Sequence, residues 1–375
     1  MTARSARPTT SRKDDTMKVA INGRFLLDAF GGVLRVGVEL TRQLAQRRSD
    51  VVLLIPAAAV DRVPEGVPFE VVGSAKGALW EQVDLPRWLR RHGSPLLLNL
   101  ANIAPMTYRN QITVVHDIAP ALRPQDFSFL FRVQWKLAVR LGMRRRGQGI
   151  ATVSRASRGE IAAQFGVEPR TIDVVHLGAD TLPAPAPEPA AAERATFVTF
   201  GRHGTAKNAR AVIDALALVP SDVDLEVHYV GDLDPELLPY AESKDIAPDR
   251  LRWRGRVSDE ELAEAFVTAS AFVWPSLHEG FGLPPLEAQR LGTPVLASDI
   301  PINREILGDS ARYFPATDAT ALATLMTELA RDSELRADLS RRSIANAEEF
   351  TWARTAERWN ALIDARLGGT AHPAS

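Results

Sequence analysis

Residues 271–288 read AFVWPSLHEGFGLPPLEA, and they contain the repeating unit of the predicted fold. The first four residues form a short apolar run typical of a buried strand, and Gly280 and Gly282 mark a loop in which backbone can approach a ligand closely. Pro284 or Pro285 suits the first turn of a helix, whose free N–H groups can bind phosphate. The stretch therefore predicts a strand, an anion-binding loop and a helix.

The same pattern of strand, loop and helix recurs along the chain. In the first half the segments predicted as strands are 18–22, 51–55, 96–100, 112–116, 150–153 and 172–175. In the second half they are 196–200, 225–230, 251–253, 271–274 and 294–297. Strands that alternate with helices are typical of parallel sheets covered on both faces. The sequence therefore predicts an α/β protein with two Rossmann-like, doubly wound parallel-sheet domains.

A segment rich in Pro and Ala separates the two halves. Residues 181–195 read TLPAPAPEPAAAERA, a composition typical of an extended linker. A chain of 375 residues is long enough for two cores. We therefore predict domains at 17–180 and 196–350, a final helix at 351–367 and a tail at 368–375.

The composition excludes several classes of protein. A formal net charge of -1 provides no general attraction for nucleic acid, and the absence of cysteine excludes disulfides and thiolate metal sites. No apolar run approaches the roughly 18 to 20 residues of a membrane-spanning helix. Residues 1–16 are polar and lack the apolar core of a secretory signal, so we predict a disordered extension, with Met17 as an alternative start. These features together predict a cytoplasmic protein.

Two carboxylates and two cations are the candidate site residues. Glu279 precedes the predicted helix and Glu287 lies within it, so both can face one ligand from different depths. Arg202 and Lys207 lie in the segment GRHGTAKN, where a guanidinium and an ammonium can converge on a diphosphate. Solvated surface charges are the plainer interpretation of both pairs, and the spacing alone leaves the two interpretations open.

The segments that carry chemistry match one family in order along the chain. They are GGVLR at 31–35, HDIAPALRP at 116–124, TVSRASRGEI at 152–161, VVHLGAD at 174–180, GRHGTAKN at 201–208, HEGFGLPPLEAQRLGTPVLASDIPINREILGDSARYF within 273–315, and FTWARTAERW at 350–359. This ordered set closely resembles glycosyltransferase family 4, a family of retaining enzymes with the GT-B fold. The resemblance implies two Rossmann-like domains that face each other across a cleft. The first would bind the acceptor, the second would bind the nucleotide sugar, and the final helix would pack back on the first.

The resemblance implies roles for the charged residues. Glu279 matches the first glutamate of the family's paired motif, which lies by the donor sugar, and Glu287 matches the second, which binds the ribose hydroxyls. Arg202 and Lys207 match the basic pair that holds the diphosphate and stabilises it as it leaves. Glu279, His116, Arg202 and Lys207 are accordingly the candidate catalytic residues.

The resemblance also implies roles for residues of the loops. His116 matches a histidine near the donor sugar, although a lone histidine at a strand end is more often a polar cap satisfied by backbone. Asp117 is similarly open to two interpretations, as the cap of a turn or as an acceptor ligand. The residues expected to contact the diphosphate, sugar or acceptor through backbone are Gly31, Gly32, Gly280, Phe281, Gly282 and Leu283.

The activity implied is transfer of a hexosyl group, of the mannose, glucose or rhamnose class, from a GDP-, UDP- or dTDP-sugar. The acceptor would be a glycan, a lipid-linked molecule or a small molecule in cell-envelope polysaccharide or glycoconjugate synthesis. No cofactor or metal site is expected, because protein cations meet the diphosphate. A phosphate-dependent sugar phosphorylase and a non-catalytic scaffold of the same fold are the alternatives. A dinucleotide oxidoreductase is disfavoured, because no G-x-G-x-x-G follows the first strand of either domain.

A basic segment of the first domain raises the question of a membrane partner. Cations at 132, 136, 140 and 144–146 share a predicted helix with Phe127, Leu130, Phe131 and Trp135. This pattern fits a helix that contacts anionic lipid at the membrane periphery, and it equally fits an ordinary amphipathic helix with solvated cations. The oligomeric state is not indicated by the sequence.

Overall fold

The computed structural model describes residues 17–28, 31–144, 148–183, 194–201, 205–232 and 234–368. The predicted extension at 1–16, residues 184–193 of the predicted linker and residues 369–375 of the predicted tail lie outside the described residues. The chain forms two compact units. The first contains the described residues up to Leu177 together with those from Trp352 onward, and the second contains Gly178–Thr351.

The first unit is built on a sheet of seven parallel strands. They are β1 (Val19–Asn22), β2 (Val51–Ile55), β3 (Phe69–Val71), β4 (Leu96–Asn99), β5 (Gln111–Val114), β6 (Gln148–Thr152) and β7 (Ile172–Val174). Their order across the sheet is β3-β2-β1-β4-β5-β6-β7, which is the doubly wound order with its switch point between β1 and β4.

Seven helices belong to the described residues of the first unit. They are α1 (Gly32–Arg47), α2 (Gly77–Leu79), α3 (Leu85–Arg91), α4 (Ala119–Leu122), α5 (Phe129–Arg144), α6 (Arg155–Phe165) and α14 (Trp352–Leu367). The last helix packs against α1. A hydrogen bond of 2.6 Å from Arg48 Nη1 to Asp364 Oδ1 joins them at the end of α1.

The second unit is built on a sheet of six parallel strands. They are β8 (Ala195–Phe200), β9 (Leu225–Val230), β10 (Leu251–Gly255), β11 (Ala271–Trp274), β12 (Val295–Ser298) and β13 (Ala311–Phe314). The order is β10-β9-β8-β11-β12-β13, so the strand order reverses between β8 and β11. In doubly wound sheets, ligands bind beyond the carboxyl ends of the strands at this switch point.

The helices of the second unit cover both faces of its sheet. They are α7 (Arg210–Leu218), α8 (Leu237–Glu242), α9 (Asp259–Thr268), α10 (Leu283–Arg290), α11 (Pro301–Leu307), α12 (Ala319–Arg331) and α13 (Ser333–Ala347). A capping box opens α9, because Ser258 Oγ accepts from the Glu261 N–H and the Glu261 carboxylate accepts from the Ser258 N–H.

The central strands of both sheets are buried on both faces. In the second unit, β8 and β11 contribute Phe197 and Val273 to a core that α7 and α12 cover with Ile213 and Met326. In the first unit, smaller clusters form beneath α3 and between α5 and α6. Full burial explains why these strands are continuous apolar runs in the sequence.

The predicted fold class is confirmed, and the differences lie at the edges of elements. β3 and β13 were not predicted, and both are edge strands. β8 begins at Ala195, within the predicted linker. β5 ends at Val114, so His116 lies two residues beyond the strand that was predicted to contain it.

Candidate active site

The candidate site of the second unit lies at the switch point of its sheet. The loop after β8 carries Lys207, and the loop after β11 carries Glu279. Because β8 and β11 are neighbouring parallel strands, both loops leave the same edge of the sheet. The fold therefore brings together two residues that are 72 positions apart in the sequence.

Lys207 and Glu279 form an ion pair. The Lys207 Nζ lies 2.5 Å from Glu279 Oε1, and the two side chains are 27% and 12% exposed. Partial burial makes such a pair stronger than one in open water, because less solvent screens the charges. The pair is nevertheless accessible enough for a ligand to reach the ammonium.

The Lys207 ammonium lies over the face of the Trp274 ring. Trp274 is the last residue of β11 and is 3% exposed, and Lys207 Nζ lies 4.6 Å from the centroid of its ring. A cation over an indole face gains about 0.5 to 2 kcal/mol. The indole Nε1–H is buried and has no hydrogen-bond partner among the described residues. An unpaired buried donor costs about 1 to 3 kcal/mol, so the fold retains this indole at some expense.

Asn208 fixes the backbone that presents Lys207. Its φ of 52° is left-handed, a conformation that asparagine adopts more readily than most residues. The Asn208 Nδ2 group donates to Pro275 O at 3.1 Å and to Ala316 O at 2.8 Å. These bonds join the loops after β8, β11 and β13. The Leu277 N–H adds a bond to Ala206 O at 2.8 Å.

The start of α10 is shaped by Gly282. Gly282 is the N-cap and has a φ of 90°, which a residue with a side chain rarely adopts. Pro284 and Pro285 occupy the first turn and lack N–H groups. Leu283 and Leu286 therefore carry the N–H groups that remain in this turn. The backbone positions predicted to bind phosphate or sugar, Gly280 to Leu283, are buried beside them.

Glu287 lies deeper than Glu279. It is on α10 and is 3% exposed, whereas Glu279 lies in the preceding loop with partial exposure. The two carboxylates are thus at different depths beside the same helix start. Arg202, the other predicted cation, lies outside the described residues.

His116 lies in the first unit, beyond the end of β5. It is 7% exposed, and its Nε2 lies 2.9 Å from the Leu100 carbonyl oxygen. Because a carbonyl only accepts, Nε2 carries the proton and Nδ1 is the acceptor of a neutral imidazole. Burial lowers the pKa of His116 from 6.5, and this effect exceeds the opposing ones of the Leu100 bond and of Asp117. The side chain therefore stays neutral near pH 7.

The residues near His116 are fixed by backbone contacts. The His116 N–H donates to Asn102 Oδ1 at 2.8 Å. Asp117 Oδ1 accepts from the Ala119 N–H at 2.8 Å, so Asp117 caps the turn that begins α4. Of its two interpretations, the structure supports the cap.

Gly31 and Gly32 lie at the start of α1. Gly31 is the N-cap in an extended conformation, and a Cβ placed on Gly32 would meet no atom within 4 Å. Packing in the first unit therefore does not require a glycine at position 32.

No cluster of three or more His, Asp or Glu side chains suited to a metal ion occurs within the described part of the chain. Asp222 and Asp224, whose spacing resembles a donor-metal motif, are exposed and pair with Arg331 and Arg194 instead.

Helix α5 packs part of its apolar surface on the core of the first unit. Trp135 is 2% exposed, and Phe131 is partly buried and packs on the same core. The exposed apolar side chains of this helix are Phe129, Leu130, Val133 and Leu137. Lys136 and Arg140 are exposed on the same helix. In the described residues no helix has the length and apolar character to cross a bilayer.

Sequence comparison supplies the family. The model described as Glycosyltransferase Family 4 matches residues 30–181, and the model described as Glycosyl transferases group 1 matches residues 184–346. The chain belongs to the group 1 glycosyltransferases. Lys207, Glu279 and Glu287 lie within the second of these matches, and His116 lies within the first.

The relatives of this group 1 glycosyltransferase include bacterial mannosyltransferases. Serotype-specific mannosyltransferase WbdA of Escherichia coli is 33% identical over 156 residues, which are 40% of this chain and 19% of WbdA. The match thus spans only a small part of that relative's length. O-antigen chain mannosyltransferase B of Escherichia coli is 26% identical over 365 residues, which cover 86% of this chain and 92% of the relative.

Solved structures agree in fold. Sucrose-phosphate synthase from Thermosynechococcus elongatus has a TM-score of 0.74 at 17% identity and covers 94% of this chain and 100% of its own. Anabaena HepE, solved with UDP and glucose, has a TM-score of 0.71 at 18% identity, with 93% and 100% covered. These likenesses confirm the predicted GT-B architecture of two parallel-sheet domains.

Trp274 and Asn208 were not predicted as site residues. An aromatic residue at the end of a buried strand is typical of a core, so nothing in the sequence distinguished Trp274. Asn208 closes the segment GRHGTAKN, and its position directly after Lys207 was a usable signal for a left-handed turn.

Proposed function

We propose that this protein transfers a hexosyl group from a nucleoside diphosphate sugar to a glycan, lipid-linked or small-molecule acceptor, with retention at the anomeric carbon. The observation that carries the proposal is the convergence of Lys207, Glu279 and the start of α10 at one switch point. A cation and a helix N-terminus suit a diphosphate, and a neighbouring carboxylate suits sugar hydroxyls.

In the proposed reaction the bond between sugar C1 and the β-phosphate oxygen breaks. The acceptor oxygen bonds to C1 from the same face, and the departing phosphate takes the acceptor proton. Negative charge grows on the diphosphate as it leaves, so Lys207 and Arg202 stabilise the transition state more than the ground state. The diphosphate takes over the ammonium of Lys207, and Glu279 turns from the ion pair to the sugar. Protein cations thus do the work for which other transferases use a divalent ion.

The remaining predicted residues bind rather than react. Glu287 accepts hydrogen bonds from the donor ribose hydroxyls. His116, neutral at pH 7, accepts a hydrogen bond from a sugar hydroxyl at Nδ1. Gly31 and Gly32 leave room for a ligand at the start of α1, which agrees with the open space around Gly32.

Mannose is the proposed sugar, because the curated relatives described above are mannosyltransferases. The test is incubation of the full chain with GDP-mannose, UDP-glucose or dTDP-rhamnose and a panel of glycan and lipid-linked acceptors. Mass spectrometry would detect the product, and NMR would give its anomeric configuration. An inverted product would overturn retention. Sugar 1-phosphate released only when inorganic phosphate is present would identify a phosphorylase instead.

We further propose that the exposed face of α5 contacts anionic lipid. Phe129 and Leu130 are 73% and 64% exposed, and cations lie beside them. Apolar side chains flanked by cations suit the headgroup region. We expect cosedimentation with phosphatidylglycerol vesicles at low salt, lost in Leu130→Glu. The matched control is Leu218→Glu, which adds the same charge at an exposed leucine of α7. No cosedimentation of the wild type would end the proposal.

A further inference from the structure

The Lys207 ammonium must be held in place if it is to bind a diphosphate. A lysine side chain has four flexible carbons, and its ammonium is a mobile point charge. Among the described residues, two groups hold that ammonium: the Glu279 carboxylate at 2.5 Å and the face of the Trp274 ring, whose centroid is 4.6 Å away. Only the ring stays in place once a ligand has displaced the carboxylate, because Trp274 belongs to a central strand and is 3% exposed.

The indole is itself firmly held by other rings. Phe200 meets it edge-on with centroids 6.1 Å apart, and Phe272 packs at 5.7 Å. On its other side the ring approaches Gly282, since a Cβ built on that residue would lie 3.7 Å from Trp274 Nε1. The ring therefore spans from beneath Lys207 to the cap of α10.

The position of this tryptophan under the Lys207 ammonium distinguishes it from an ordinary core residue, because a cation is attracted most strongly to an indole face. A phenylalanine would keep an aromatic ring without burying a donor that lacks a partner. The face of the Trp274 ring attracts the Lys207 ammonium, and the indole Nε1 lies near Gly282.

We infer that Trp274 is a positioning residue of the donor site, which holds the Lys207 ammonium in place for a nucleoside diphosphate. The inference rests on the proposed function, because Trp274 supports Lys207 at the proposed donor site. Trp274 acts through Lys207 and does not itself touch the reacting atoms.

Calorimetric titration of the full chain with UDP, GDP and dTDP tests the inference. For whichever diphosphate binds the wild type, we expect Trp274→Leu to raise the Kd about tenfold. Trp274→Phe, which keeps a ring, should raise it less. Phe266→Leu is the matched control: it removes a fully buried ring from the same aromatic cluster, 5.0 Å from Phe272, and should leave the Kd unchanged. Thermal unfolding confirms that each variant is folded.

A double-mutant cycle separates positioning from packing. In a Lys207→Ala background, Trp274→Leu should have no further effect on the Kd, because the group on which it acts is gone. An equal effect in both backgrounds would overturn the inference, as would an unchanged Kd in Trp274→Leu while the wild type binds. Failure of the wild type to bind any of the three diphosphates would contradict the proposed function itself, and the inference with it.

Discussion

Lys207 and Glu279 form an ion pair of 2.5 Å between loops that follow two neighbouring strands of the second sheet. The pair places opposite charges at the start of α10, at the switch point where doubly wound sheets bind ligands. In the proposed reaction the two side chains separate, since the ammonium moves to the diphosphate and the carboxylate to the sugar. Replacement of each should therefore have a different kinetic effect.

Lys207→Ala should lower both the turnover rate and the donor affinity, because the ammonium meets charge that grows as the diphosphate departs. A charged hydrogen bond of roughly 1.5 to 3 kcal/mol corresponds to about a ten- to a hundred-fold loss. We expect the same of Arg202→Ala.

Glu279→Ala should lower turnover most, because this carboxylate lies by the reacting sugar. Donor-saturation kinetics with circular dichroism as the folding control measure these effects. Normal turnover in Glu279→Ala would refute its assignment.

Glu287→Ala should chiefly raise the Michaelis constant for the donor. Contacts with ribose hydroxyls change little during the reaction, so their loss weakens the ground state and the transition state alike. The same donor-saturation experiment separates the two constants. A turnover rate that falls while the Michaelis constant stays normal would show that the roles of Glu279 and Glu287 are reversed.

Transfer should survive EDTA. In the proposed site Lys207 and Arg202 take the place of a divalent ion at the diphosphate, so removal of metal leaves the leaving group stabilised. The measurement compares initial rates before and after chelation, and after return of magnesium or manganese. Activity that disappears with EDTA and returns with either ion would show that the cation pair does not suffice.

Burial of His116 predicts a pH-dependent stability. Burial lowers the pKa of the folded imidazole below its ordinary 6.5, so the unfolded chain binds more protons between these two values. The free energy of unfolding should therefore fall as the pH drops through 6.5. Above pH 6.5 the titration of His116 should not change it. Urea unfolding at pH 7.5 and 5.5 should show a larger loss of unfolding free energy in the wild type than in His116→Gln. The difference should be at most about 1.4 kcal/mol, because pH 5.5 lies one unit below 6.5. Equal losses would contradict a neutral buried His116.

Much of the fold was readable from the sequence because the central strands are buried on both faces. β2 and β11 appear as uninterrupted apolar runs, and β9 alternates apolar residues with Glu226 and His228. The predicted bounds of all three match the structure. β3 and β13 were missed because they are short edge strands of mixed composition: Glu70 in β3 is exposed, and Arg312 lies in β13.

The sequence indicated candidate site residues only where they lie in a recognisable loop motif. Glu279, Glu287 and Lys207 stand in glycine-containing or proline-containing segments, and the family resemblance of those segments, rather than their spacing, indicated the roles. The contact between Lys207 and Trp274 depends on the adjacency of β8 and β11 in the sheet, which no local pattern contains. The sequence left the role of the α5 apolar residues open, because periodicity alone does not say which of them face the sheet; Trp135 and Phe131 pack on the core, whereas Leu130 is exposed.

Binding of nucleotide sugars to the wild type and to Lys207→Ala tests the proposed donor site most directly. The measurement is calorimetric titration with GDP-mannose, UDP-glucose and dTDP-rhamnose, and Arg210→Ala is the control, since Arg210 is an exposed cation on α7. We predict that at least one nucleotide sugar binds the wild type and Arg210→Ala equally. Its Kd should rise about ten- to a hundred-fold in Lys207→Ala. Equal affinity in the wild type and Lys207→Ala, or no binding of any nucleotide sugar, would contradict a donor site at Lys207 and Glu279.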